Sequence, residues 1–239
     1  MILPTIRASF GRQDAMHLVG LLAGDDDMLR AAAEQRLDAG GIDALLDDPR
    51  VRNALLTDRR AASPPELIFY VLVRHALLEG GIDDRVMADY VATLVVSFGR
   101  ERRAYRPSEH SDDEYRYLVD IVLHRTRVGA DEAFLLNLHL GNLSLWLSGL
   151  FPQYLQRRER LRGAPSVRYY EEMGTTGYRL AADSGQAVRF GLGDVFNDVA
   201  DRFSRVRVAL NRLSDGVLWP SGGDPVERLL REMEQRVRG

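Results

Sequence analysis

Two stretches of the chain, 67–78 and 134–151, are apolar nearly all round, and the remainder alternates amphipathic segments with glycine, proline and short acidic runs. A helix apolar on every side is one surrounded by other helices or by lipid. No stretch sustains the apolar–polar alternation between hairpin turns that marks a strand. The pattern predicts helices over 14–23, 26–39, 42–57 (interrupted at Pro49), 65–79, 83–99, 112–128, 131–150, 152–162, 166–183, 191–218 and 225–238. The expected fold class is all-α: a multi-helix bundle with two buried central helices and a long heptad-patterned helix near the C-terminal end.

The heptad is the most regular pattern. Phe196, Val199, Phe203, Val206, Leu210, Leu213 and Val217 are spaced alternately by three and four, which makes a seam for a neighbouring helix of this chain or of a second copy. Beyond it, Ser221-Gly222-Gly223 reads as a flexible joint. Val226, Leu229, Leu230, Met233 and Val237 then form one apolar stripe on a last amphipathic helix. The domain reading is a single helical domain over 1–220, with 1–60 as a candidate small helical subdomain, followed by the joint and helix over 221–239.

Punctuation supports these elements. Ser63-Pro64-Pro65-Glu66, Ser111-Asp112-Asp113-Glu114 and Asp224-Pro225-Val226-Glu227 each have the spacing of a capping box. Gly40-Gly41 and Gly80-Gly81 read as helix stops. Gly174 and Gly177, inside a helical stretch, mark a kink, a break or a close helix crossing. Asn137, Gly141, Ser144 and Ser148 form a narrow stripe of small residues against which another helix backbone can approach. The apolar run carrying that stripe has about the length of a membrane span. Asn137, His139, Asn142, Ser144 and Ser148 interrupt it, and polar groups are costly in lipid, so a buried core helix is expected instead.

Composition narrows the chemistry. Apolar residues at 45% and charged residues at 28% belong to an ordinary globular chain, so a sizeable core is expected without metal or disulfide staples. Cysteine is absent, which removes disulfides, thiolate nucleophiles and Cys-ligated metals and fits a cytoplasmic protein. All 32 basic residues are arginine. Without lysine there is no Schiff-base amine and no phosphate-binding lysine of the common nucleotide folds. Net charge is −3, so no general attraction to nucleic acid or anionic membrane is expected. The opening Met1-Ile2-Leu3-Pro4-Thr5 lacks the basic region and apolar core of a secretory signal.

Candidate sites are few. Arg74 and His75 interrupt one all-apolar run, and Asn137, His139 and Asn142 interrupt the other. Facing each other, the five would line a polar ligand pocket, and otherwise they form an internal network that fixes helix register. Asp194, Asp198 and Asp201 share a helix face and could hold Mg²⁺ with a diphosphate, but the heptad turns that face toward solvent. Asp120 and His124, four apart, are either two metal ligands or an exposed pair. Arg157, Arg158, Arg160, Arg162 and Arg168 lie close in sequence to Tyr169 and Tyr170, a basic-aromatic group suited to phosphate or an acidic partner unless its glutamates make it merely a solvated face.

The function expected from all this is a non-catalytic helical binding or assembly protein that needs no cofactor. Its partner is another protein or a second copy, engaged through the heptad seam and through Leu229, Leu230 and Met233. The alternative is an enzyme or small-ligand binder with its pocket between the two apolar helices, and behind it a magnesium-dependent diphosphate enzyme.

Overall fold

Helix follows helix along the chain, and no strand forms among the described residues. The computed structural model describes residues 2–57, 63–99, 103–108, 111 and 113–215. Val217, Leu229, Leu230, Met233 and the amphipathic tail lie outside them. The chain divides into two compact units, one spanning Pro4–Thr93 and the other running from Leu94 onward with the first few residues.

The Pro4–Thr93 unit holds α1 (Ile6–Ser9), α2 (Arg12–Ala23), α3 (Asp27–Leu46), α4 (Pro49–Thr57), α5 (Pro65–Glu79) and most of α6 (Arg85–Phe98). Asp26 caps α3 by accepting from the amides of Met28 and Leu29. Gly41, expected to stop a helix, instead kinks α3 at a φ of 65° that an L side chain rarely adopts. Gly80 and Gly81 do end α5. Ser63 does not cap it: Pro64 takes the N-cap position, and the Ser63 hydroxyl hydrogen-bonds His17 at 2.7 Å. From Leu67 to Leu77 only Ile68 on α5 is not fully buried.

The second unit contains the end of α6, a 3₁₀ turn (Arg103–Tyr105), α7 (Leu118–Arg125), α8 (Ala130–Leu150), α9 (Pro152–Arg162), α10 (Val167–Ala182), α11 (Gly185–Phe190), α12 (Gly193–Asp201) and α13 (Phe203–Leu213). The helix expected from 112 starts only at Leu118, so Ser111-Asp112-Asp113-Glu114 is not a helix start. The helix expected over 191–218 breaks at Arg202, whose φ of −107° and ψ of 14° separate α12 from α13. Phe196, Val199, Phe203, Val206, Leu210 and Leu213 are all buried within this unit.

Every residue of α8 from Leu136 to Leu150 is buried, and α10 lies along it. The glycines of α10 permit that approach. A Cβ on Gly177 would stand 2.6 Å from the Gly141 amide nitrogen and 2.7 Å from the Asn137 carbonyl oxygen. One on Gly174 would strike the Phe203 ring and approach the Ser144 Cβ to 2.9 Å. Of the three readings of this glycine pair, close crossing is the one realised. On a neighbouring face, Asn211 of α13 donates to the carbonyls of Ser148 and Gly149 at 2.8 and 2.6 Å. No single described helix is long and apolar enough to cross a membrane; α8 and α9 together have the composition but are bent by 92°.

Gly177→Ala is expected to lower stability by about 3 kcal/mol, because the new methyl meets backbone that cannot rotate away. Gly20→Ala on α2, where an added Cβ meets nothing within 4 Å, should raise it by about 0.5–1 kcal/mol. Paired denaturant titrations check both, and equal responses would refute the close crossing.

Candidate functional site

Arg74 sits on the buried face of α5 with only 1% of its surface exposed, and a guanidinium there must be paired. Its Nε and Nη2 donate to both oxygens of Asp47 at 2.8 and 3.0 Å, and Nη2 also reaches Asp83 at 2.5 Å. The pairing continues outward. Arg85 donates to Asp47 at 2.5 Å and lies 3.8 Å from Asp43, which accepts from Arg7 at 2.7 Å. Three arginines thus alternate with three aspartates across α1, α3, α5 and α6.

Burial works against the charge on Asp47, but Arg74 and Arg85 outweigh it and hold the carboxyl below its ordinary range. Asp48 behaves likewise: burial opposes ionisation, and Arg50 and Arg36 overcome it. Asp89 is the exception, raised by burial against the backbone amides of Arg7 and Ile6 that bond it. Tyr70, one turn from Arg74, is pushed up to about 12 chiefly by burial, so its hydroxyl stays protonated. His75 donates from Nε2 to the Leu46 carbonyl at 3.0 Å, and burial lowers its pKa, keeping the ring neutral.

Asn137, His139 and Asn142 belong to the other unit, so the five residues proposed for one pocket divide between two units. The Asn137 carbonyl oxygen accepts from Arg125 at 3.0 Å, and that of Asn142 accepts from Tyr178 at 2.8 Å. The His139 ring lies among Phe98 and Tyr115, with centroids 6.0 and 6.1 Å away. On α12, Asp201 pairs with Arg179 at 3.3 Å and Asp198 with Arg202 at 3.7 Å, while Asp194 stands exposed in the first turn.

Two surface features of the second unit remain. The first is α9, which carries Arg157, Arg158, Arg160 and Arg162 against one glutamate. The Arg158 guanidinium lies 5.9 Å from the Tyr117 ring centroid and 5.5 Å from that of Tyr154. Leu161, one turn along the helix from Arg158, is 70% exposed, and Tyr117 is 57% exposed. Sequence reasoning grouped the arginines with Tyr169 and Tyr170 and missed both rings: Tyr154 stands four residues before Arg158 on the same helix, whereas Tyr117 comes from a distant segment.

The second is a cleft of about 170 Å³ lined by Ser108, Ser111, Asp113, Tyr115, Glu132 and neighbouring apolar groups. His124 of α7 adjoins two of these lining residues. Its Nδ1 is hydrogen-bonded to the Tyr115 hydroxyl, and its Nε2 lies 3.9 Å from a Glu132 oxygen. Sequence reasoning paired His124 with Asp120. Folding instead groups it with Asp113 and Glu132, the one misread as part of a helix cap and the other lying in the first turn of α8. Comparison with known protein families, characterised proteins and solved structures finds no match to the chain.

Asp47 and Asp48 have folded pKa values below the unfolded ones, so their contribution to stability is complete above about pH 4 and is lost as pH falls through the lowered values. Asp89, raised in the fold, acts in the opposite sense and is relieved on acidification. Arg74→Met leaves Asp47 short of its main partner and should cost about 3–5 kcal/mol at neutral pH. The variant should also lose less further stability on acidification than the parent, a comparison made by denaturant unfolding at a series of pH values.

Proposed function

We propose that the chain is a non-catalytic, self-associating binding protein, and that the basic-aromatic surface of α9 is what it binds with. The observation supporting this most directly is Leu161, exposed among four arginines beside the Tyr117–Arg158–Tyr154 stack. Arginine and tyrosine around an apolar centre are the residues that dominate protein interfaces. Stacking also restrains Arg158 before any partner arrives, which lowers the entropy lost on binding.

The partner surface that fits is acidic with an apolar centre, and a second copy carries one. Asp25, Asp26 and Asp27 open α3 beside Met28, which is 80% exposed, and Leu29. Docking α9 of one copy on this corner of another would match charge with charge and Leu161 with Met28. This moves the interaction away from the heptad residues, which are already buried among neighbours in their own unit. The tail residues Leu229, Leu230 and Met233 are a further candidate for assembly. Action in the cytoplasm accords with a chain that has no cysteine.

The small-ligand reading draws less support, since Arg74, His75, Asn137 and Asn142 each bond a partner of their own. The magnesium–diphosphate reading draws less still, since Asp198 and Asp201 already have arginine partners.

Light scattering and sedimentation should show a mass above that of the monomer, falling between about 50 mM and about 500 mM salt as the charges are screened. Leu161→Glu and Arg160→Glu should each weaken association about tenfold or more, and Asp27→Arg should partly restore the Arg160→Glu variant. A monomeric mass at every concentration would sink the self-association, and capture of an acidic partner protein would then fall to the same surface.

A further inference from the structure

The cleft beside α7 goes beyond that reading, since it involves none of the α9 arginines. We propose that Asp113, His124 and Glu132 are the ligands of a divalent transition-metal site with an open position toward the cleft. One ligand atom from each residue falls within 4.8 Å of the others. The 3.9 Å between His124 Nε2 and the Glu132 oxygen is too long for a hydrogen bond. It is close to the spacing of two ligand atoms that each stand about 2.0–2.2 Å from one ion.

The surroundings of His124 suit a ligand. Its Nδ1 shares a hydrogen bond with the Tyr115 hydroxyl, and its Nε2 faces Glu132. In the proposed site Nδ1–H donates to the tyrosine oxygen, which leaves the Nε2 lone pair for the ion. Metal-binding imidazoles are oriented in this way by a partner on the other nitrogen. Tyr115 is that partner. It is buried and held by its backbone amide, which donates to the Tyr105 carbonyl at 2.7 Å.

One imidazole with two carboxylates suits Zn²⁺ or Mn²⁺ better than Ca²⁺, which prefers oxygen ligands throughout. Three protein ligands leave at least one coordination position for water or for an oxygen of a small anion. The cleft has room for either, with Ser108 and Ser111 in its wall.

The test is calorimetric titration of the metal-stripped full chain with Zn²⁺ and, separately, with Mn²⁺. One equivalent per chain is expected for at least one ion. His124→Ala, Asp113→Asn and Glu132→Gln should each reduce affinity by more than the roughly tenfold to hundredfold that an outer partner commands. Tyr115→Phe should fall within that tenfold-to-hundredfold range, and Asp120→Asn should bind as the parent does. Glu132 is exposed, so Glu132→Gln is expected to keep the parent's melting temperature and to remain informative if His124→Ala does not fold. Binding of less than one equivalent of both ions, or an affinity that Glu132→Gln leaves unchanged, would overturn the site.

Discussion

Gly177 rests on the backbone of α8 with no side chain between, its absent Cβ facing the Gly141 amide and the Asn137 carbonyl. Much of the second unit depends on that approach. With α10 this near, Tyr178 reaches Asn142, its ring lies 6.3 Å from Phe196 of α12 and 6.2 Å from Phe203 of α13, and Gly174 leaves space for the Phe203 ring. A wider spacing would break the buried Tyr178–Asn142 hydrogen bond. Asn137 and Asn142 are thus places where other helices attach to α8.

The Pro4–Thr93 unit is fastened differently. Its buried Arg74 is neutralised through a relay of aspartates that reaches solvent at Asp83 and Arg85. Such a relay contributes little to net stability relative to an apolar core, but it penalises any arrangement that separates its members. Arginine suits it, because the planar fork satisfies two oxygens of Asp47 at once. The consequence of having no lysine is therefore structural as well as chemical.

Local signals carried the fold class. Helical periodicity, the Gly80-Gly81 stop and the lack of alternating stretches all point to helices, and helices are what form. The break at Arg202 was not legible, because the heptad spacing continues through it and only backbone angles reveal it. Asp113 was misread for a related reason. Ser-Asp-Asp-Glu has the spacing of a capping box, yet here the Ser111 hydroxyl accepts from the Asp113 amide in a local turn, and Asp113 lines the cleft. Grouping of Asp113, His124 and Glu132 is set by the packing of α7 on α8, which no spacing along the chain encodes. The Arg158 stack was half visible: the arginines stood out as a cluster and Tyr154 is four residues before Arg158, whereas Tyr117 arrives from a distant turn.

The burial of α8 also constrains how the second unit assembles. With every residue from Leu136 to Leu150 covered, this helix has no wet face on which to exist alone. Its covering strips come from α7, α10 and α13, the last some sixty residues away along the chain. Docking must then close long loops before most of the apolar surface is gained, which favours one concerted, comparatively slow folding event over stepwise growth. In amide hydrogen exchange the central turns of α8 should behave as the last to open, and α9 and α11, each with one side in water, as the first.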